Sequence, residues 1–212
     1  TLEEMIRRDW NRPSVVIWSV LNESSTATLP GARAAARLVR KVRTLDDTRL
    51  VGYASNTALR DRGFRFLDVI GVNSYPGWYE SRDFPDWPAM MTGLRRKLRR
   101  EGLAGTPVLV TETGAAGLYG DRALETRKWS EDYQAENLRR SLEYLLSEDA
   151  VAGVFIWQLC DIRTANAYWT NRPGTFNNKG LLDRFRRPKQ AYGLVRELYR
   201  AAGCAKARPA GS

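Results

Sequence analysis

Ser14 to Glu23, SVVIWSVLNE, is the stretch that most restricts the fold. It is an almost continuous apolar run that stops at the polar pair Asn22 and Glu23, and it lacks the polar spacing of an amphipathic helix. Val, Ile and Trp in such a run predict a strand buried on both faces, as in parallel sheets flanked by helices. A carboxylate placed where such a strand surfaces is where α/β barrels keep their chemistry. Pro107 to Glu112, PVLVTE, repeats the pattern. Two buried strands thus each deliver a glutamate at the carboxyl end.

Three more strands are expected, at Arg49–Ser55, Val69–Tyr75 and Val151–Leu159. Between and around the strands lie apolar stripes at helical spacing: Leu2, Met5 and Ile6; Ala35, Leu38, Val39 and Val42; Met90, Met91, Leu94 and Leu98; Tyr133, Leu138, Leu142 and Leu145; and a last helix from about Pro188 to Ala202. Strand and helix alternate five times, which predicts an α/β chain with a parallel sheet and right-handed crossovers. No Gly-rich phosphate loop follows any strand, so the nucleotide-binding doubly wound folds lose support. Five strands do not close an eight-stranded barrel. The expectation is an open sheet, or the carboxyl-terminal part of a barrel spanning residues 1–202, with 203–212, rich in Ala, Gly and Pro, as a disordered tail.

The chain holds 34 Lys+Arg against 24 Asp+Glu, a net charge of +10 that raises the question of an acidic partner. The basic residues are scattered over several helices beside apolar stripes, which favours solvated outer faces and argues against nucleic acid as a partner. There is no histidine. A Ser/His/Asp triad and His-ligated metal are excluded, and acid–base work falls to carboxylates, Tyr or Lys. Cys160 and Cys204 do not resemble a disulfide framework. No apolar run reaches transmembrane length. With no targeting signal visible, a cytoplasmic location is expected and no membrane partner.

Paired carboxylates without histidine suit glycoside hydrolysis, in which one protonates the leaving oxygen and the other attacks the anomeric carbon. In retaining enzymes the two carboxyls stand about 5–5.5 Å apart. For either glutamate alone, a solvated carboxylate at a loop start is an even alternative; two matched placements weigh toward a site. Asn22 suits a sugar 2-hydroxyl, Tyr75 suits a hydrogen bond that holds the nucleophile ionised, and Trp157 suits a platform under a sugar ring, its plain alternative being a core Trp. Asn177 and Lys179 suit an anionic substrate group, against the alternative of a surface turn. Pro76 to Asp86, with Trp78, Tyr79 and Phe84, makes a stiff aromatic loop.

RDWNRPSVVIWSVLNE from Arg8 to Glu23 resembles the acid/base signature of glycoside hydrolase family 2. The resemblance runs on through VNSYPGWY (72–79), VLVTETG (108–114), WSEDYQ (129–134), VFIWQLCDIRT (154–164) and NNKGLLDRFRRPKQAY (177–192), in order and over nearly the whole chain. It implies strands four to eight of a TIM barrel, with Glu23 as general acid/base and Glu112 as nucleophile. Asn22, Tyr75 and Trp157 would line the sugar site, and Tyr79 would face the aglycone. The Asn-x-Lys pattern of Asn177 and Lys179 is similar to that of the β-glucuronidases of the family, where both side chains hold the uronic carboxylate. No cofactor or metal is implied.

Several positions depart from the family pattern: Thr113 where many relatives have an aromatic residue, Gln158 for an Asn, Pro76 for an aromatic, and no clean match for a carboxylate-binding arginine, Arg172 being only nearby. The expected function is a retaining β-glycosidase acting on β-D-glucuronides. The alternatives are a truncated, non-catalytic remnant and a β-galactosidase or β-galacturonidase of the same family. The partner is a carbohydrate substrate, and a homo-oligomer of the full-length enzyme is compatible. An open barrel edge at the Ser14 strand predicts that the isolated chain dimerises, aggregates or is marginal in stability.

Overall fold

A computed structural model describes residues 1–79, 84–122, 126–164 and 172–206, with 204–206 by backbone alone. The elements are α1 (Leu2–Asp9), β1 (Ile17–Asn22), α2 (Leu29–Arg43), β2 (Leu50–Ser55), β3 (Val69–Asn73), α3 (Trp87–Arg100), β4 (Val108–Thr113), α4 (Glu131–Ser147), β5 (Val151–Ile156), β6 (Ile162–Arg163), β7 (Phe176–Asn177) and α5 (Gln190–Lys206). Strands β1 to β5 form one parallel sheet in sequence order, the α/β architecture expected. By compactness the chain divides into two units. The first holds Thr1–Ser74, Ala89–Thr111 and Ala150–Gly153; the second holds Tyr75–Pro88, Glu112–Asp149 and Val154–Ser212.

In the first unit, β2 and β3 are almost wholly buried, as continuous apolar strands should be. β1 is not. Of its side chains only Trp18 is buried, which corrects the expectation of a strand covered on both faces. Among the described residues β1 pairs with β2 alone, so it is an edge with a strand neighbour on one side and correspondingly less cover. At the opposite edge, Phe155 of β5 is likewise exposed. Helix α2 starts where Thr28 caps it by accepting from the Gly31 N–H, with Pro30 in its first turn. Ala32, Ala35, Ala36, Val39 and Val42 recur at helical spacing and form its buried face. The approach to β1 is pinned by Arg49, whose guanidinium donates to the Val15 carbonyl at 2.7 Å and to Asp46 at 2.6 Å, while the Trp18 indole donates to Asp46 at 2.9 Å. The Thr48 hydroxyl above all, with Trp18 and Arg49, holds the Asp46 carboxyl far below the usual range.

In the second unit, α4 and α5 pack through Leu138, Leu142, Ala191 and Val195. Other residues of α4 are polar and also buried: Gln134 and Asn137 are at most 1% exposed. After β5 the chain forms a short antiparallel ribbon, with Ile162 opposite Asn177 and Arg163 opposite Phe176. Residues 165–171 between these strands lie outside the described residues. Helix α5 continues to Lys206 instead of closing near Ala202, and residues 207–212 of the expected tail also lie outside them. Among the described residues no helix is long and apolar enough to cross a membrane.

Candidate active site

The end of β1 is shaped by an irregularity in its pairing with β2, where the register shifts between Ser19 and Asn22. Such a shift re-aims the side chains that follow it. Glu23 then takes a left-handed backbone conformation, φ 47°, uncommon for a residue with a side chain, while its N–H still donates to the Ala54 carbonyl at 2.9 Å. Strained backbone of this kind concentrates at functional positions. The exposed Glu23 carboxylate accepts from the amides of Asn73 at 3.0 Å and Asn56 at 3.4 Å. Both donors are neutral, so they orient the carboxylate without placing a cation against it. Asn73 also donates to the Asn22 side chain at 3.1 Å and accepts from the Thr111 hydroxyl at 2.7 Å. One buried amide at the end of β3 therefore aligns Asn22 and Glu23 together.

The second unit gathers most of the other expected residues. Tyr75 donates its hydroxyl to the Glu112 carboxylate at 2.5 Å. This is a charge-assisted bond that favours the ionised form of the acceptor. The same ring has the Lys179 ammonium 5.2 Å from its centre; that ammonium also lies 5.0 Å from the Trp78 ring and 4.7 Å from the Tyr79 ring, and donates to the Tyr79 hydroxyl at 2.9 Å. Lys179 is only 2% exposed. Burial first, then the neighbouring Arg172 cation, pushes its pKa down to about 7, against the opposing pull of Glu112. A cleft of about 270 Å³ is lined by Trp78, Tyr79, Lys128, Arg172, Asn177 and Lys179, among others. It presents cations, two asparagines and aromatic faces, which suits a ligand with both a carboxylate and apolar ring faces.

The aromatic floor is anchored by α4. Trp78 meets Trp129 edge-on at 4.9 Å, Phe84 stacks on Tyr133 at 5.7 Å, the Tyr133 hydroxyl donates to the Gly77 carbonyl at 2.6 Å and Asn137 donates to the Pro76 carbonyl at 3.3 Å. Gly77 has φ 79°, and a Cβ there would stand 2.7 Å from the Phe84 backbone, so the 75–79 turn requires glycine.

Placed against the sequence expectations, Asn22 and Glu23 belong to the first unit, and Tyr75, Tyr79, Glu112, Trp157, Asn177 and Lys179 to the second. Tyr79 joins Lys179 and Asn177 in one cleft, and Arg172 lines it too. Trp157, 36% exposed, does not line that cleft; its backbone N–H donates to the Thr113 carbonyl at 2.8 Å. Sequence reasoning missed Asn73, Asn56, Lys128 and Trp129. Asn73 carried a signal, since it is the one polar side chain in the apolar run VIGVN. Among the described residues, no group of three or more His, Cys, Asp or Glu is arranged to hold a metal.

Residues 1–203 match the family model "Glycosyl hydrolases family 2, TIM barrel domain". The β-glucuronidase of Mus musculus is 35% identical over 203 residues, covering 93% of this chain and 30% of that protein, and the Homo sapiens β-glucuronidase is 31% identical over 205 residues with the same coverage. A family 2 β-galacturonidase from Eisenbergiella tayi, solved with bound galacturonate, superposes with a TM-score of 0.88 at 36% identity, over 94% of this chain and 35% of that one. A β-glucuronidase from an uncultured Clostridium superposes at 0.83 and 30% identity, over the same shares. The chain thus spans about a third of the length of the relatives it matches.

Proposed function

The chain belongs to the TIM-barrel domain of glycoside hydrolase family 2, and from that premise we propose that it carries the catalytic half of a retaining β-glycosidase acting on β-D-uronides, β-D-glucuronides first. In this reading Glu112 attacks the anomeric carbon while Glu23 protonates the aglycone oxygen. Glu23 then removes a proton from water, which hydrolyses the glycosyl-enzyme and frees Glu112. The reaction needs no metal or organic cofactor. Asn22 serves the 2-hydroxyl, and Asn177 with Lys179 holds the uronic carboxylate.

The observation that carries the reading is the double contact of Tyr75. Its hydroxyl bonds the Glu112 carboxylate, and its ring faces the Lys179 ammonium. One residue therefore ties the nucleophile to the cation that would select a uronide, and it supports a substrate whose carboxylate and anomeric carbon lie on the same sugar. The Asn-x-Lys pair and the similarity to uronidases of both kinds point the same way. The galacturonide is the second reading, favoured by the 36% identity to the Eisenbergiella tayi β-galacturonidase.

The test is hydrolysis of chromogenic β-D-glucuronide, β-D-galacturonide and β-D-galactoside by the 212-residue chain, with the stereochemistry of the released sugar followed by NMR. Release of the β-anomer first, from a uronide in preference to the galactoside, is the expected result. Silence from a folded sample would leave a non-catalytic remnant as the better description, and first release of the α-anomer would sink the retaining assignment.

A further inference from the structure

The later half of the motif NNKGLLDRFRRPKQAY has no part in the chemistry above, yet it contains one of the most enclosed cations of the chain. Lys189 is 2% exposed. Its ammonium donates to Asp161 Oδ1 at 2.8 Å, to the Gly117 carbonyl at 2.6 Å and to the Asn178 carbonyl at 3.0 Å, which is its full complement of donors. The same Asp161 oxygen accepts from the Gly180 N–H at 2.9 Å. Gln134 of α4, fully buried, donates through its side-chain nitrogen to the Gly180 and Ala115 carbonyls, each at 3.0 Å, and to the Lys179 carbonyl at 3.4 Å. The Gln158 N–H adds a bond to the Lys179 carbonyl at 3.1 Å.

These bonds converge on three consecutive residues. The carbonyls of Asn178, Lys179 and Gly180 and the N–H of Gly180 are all taken up by other parts of the second unit, where loops ordinarily lie at the surface and leave such groups to water. The packing is close enough that a Cβ on Gly180 would stand 2.3 Å from the Asp161 nitrogen. Lys189 itself has no donor left for a ligand. What it fixes is the main chain from which the Lys179 side chain projects into the Tyr75, Trp78 and Tyr79 cluster.

We infer that Lys189, Asp161 and Gln134 are positioning residues that hold the main chain of 178–180, so that the Lys179 ammonium is presented to a carboxylate-bearing sugar. The ligand named here rests on the uronide reading; the grip on the main chain does not. Loosening the grip lets Lys179 leave the aromatic cluster, so affinity for a charged sugar falls while that for its neutral counterpart is kept.

The test uses Lys189→Met, Gln134→Leu and the pair Asp161→Asn with Lys189→Met in the 212-residue chain. The pair removes both charges, so that no carboxylate is left buried alone. Amide hydrogen exchange is expected to rise about 10-fold across 178–182, the kind of local opening that exchange resolves, while β2 and β3 keep their protection. Unchanged exchange at 178–182 in all three proteins, or an equal rise in β2 and β3 in both the pair and Gln134→Leu, would overturn the inference. In parallel, tryptophan fluorescence is titrated with D-glucuronate, D-galacturonate and D-glucose. Uronate affinity is expected to drop about 10-fold, the scale on which outer-shell partners act at other sites, with the glucose response unchanged. Lys179→Gln is the reference: it loses uronate preference and keeps the protection of 178–182. A wild-type chain with no uronate preference would refute the uronide reading, and the exchange data would still decide the grip.

Discussion

Glu23 and Lys179 are held in place by opposite means. Glu23 is exposed, oriented by two neutral amides and fixed by an unusual backbone conformation at the end of an edge strand. Lys179 is buried against three aromatic rings, on a main chain gripped from several sides, and its charge is under pressure from burial and from Arg172. The first arrangement positions a group and leaves it open to water, as the proposed role of a proton-exchanging acid requires. The second shields a charge so that an incoming carboxylate meets it with little competing water. In the proposed reading, a group that transfers a proton and a group that recognises a carboxylate are thus built differently.

The largest effects are expected at the carboxylates. Glu23→Gln is expected to lower kcat by about 10²–10⁴-fold, the usual range for a lost general acid–base, and Glu112→Gln, which removes the proposed nucleophile, by more. Aryl glycosides with good leaving groups separate the roles: external azide should restore turnover to Glu23→Gln as the β-glycosyl azide, since the water-activating base is then unnecessary. Azide rescue of Glu112→Gln with that same stereochemistry would reverse the assignment.

A smaller loss is expected from Tyr75→Phe. It removes a hydrogen bond to a charged group, of the order of 1.5–3 kcal/mol, or about 10–150-fold in kcat/KM. If the double contact of Tyr75 matters as proposed, the loss is greater for a uronide than for the neutral galactoside, and an equal loss would uncouple the two functions of the ring.

Buried Lys179 should respond to pH. With a pKa near 7, Lys179 carries its charge below that value and loses it above. In the proposed reading uronide binding uses the charged form, so KM should be level below pH 7 and rise by up to about 10-fold per unit above it, until the bound carboxylate's own stabilisation of the ammonium is exhausted. Arg172 pushes the midpoint down and Glu112 pushes it up. Lys179→Arg, which stays charged, should flatten the profile, and a wild-type KM that is level to pH 9 would remove Lys179 from carboxylate recognition.

The smallest effect concerns stability alone. Asn tolerates left-handed backbone better than Glu, so Glu23→Asn should stabilise the fold by roughly 1 kcal/mol while abolishing acid catalysis. Thermal unfolding of an inactive variant that melts below the wild type would show that the Glu23 conformation is not strained.

The helices and strands β2 and β3 could be read from the sequence because local periodicity reflects burial. The stripe Ala35, Val39 and Val42 and the run VIGVN face the core as their patterns require. SVVIWSVLNE carries the same pattern, but β1 lies at an edge with one strand beside it, and no periodicity reports how many neighbours a strand has. The β6–β7 ribbon was not legible either, because two-residue strands are too short to show alternation. Of the candidate site, the glutamates ending apolar strands were visible as exceptions to a local pattern, and the Asn-x-Lys pair through the family resemblance. Gln134 and Lys189 were hidden for the opposite reason: each is a polar residue whose partners lie far along the chain.

The sequence by itself determined the α/β alternation, the family and the identities of the ionisable groups, since these follow from short-range pattern and residue chemistry. Only the tertiary structure decided that Tyr75 touches both Glu112 and Lys179, that Asn73 aligns Asn22 with Glu23, and that Lys189 and Gln134 grip the main chain beneath Lys179. Those contacts join residues tens of positions apart, and they exist because burial obliges each polar group to find a partner wherever the fold brings one.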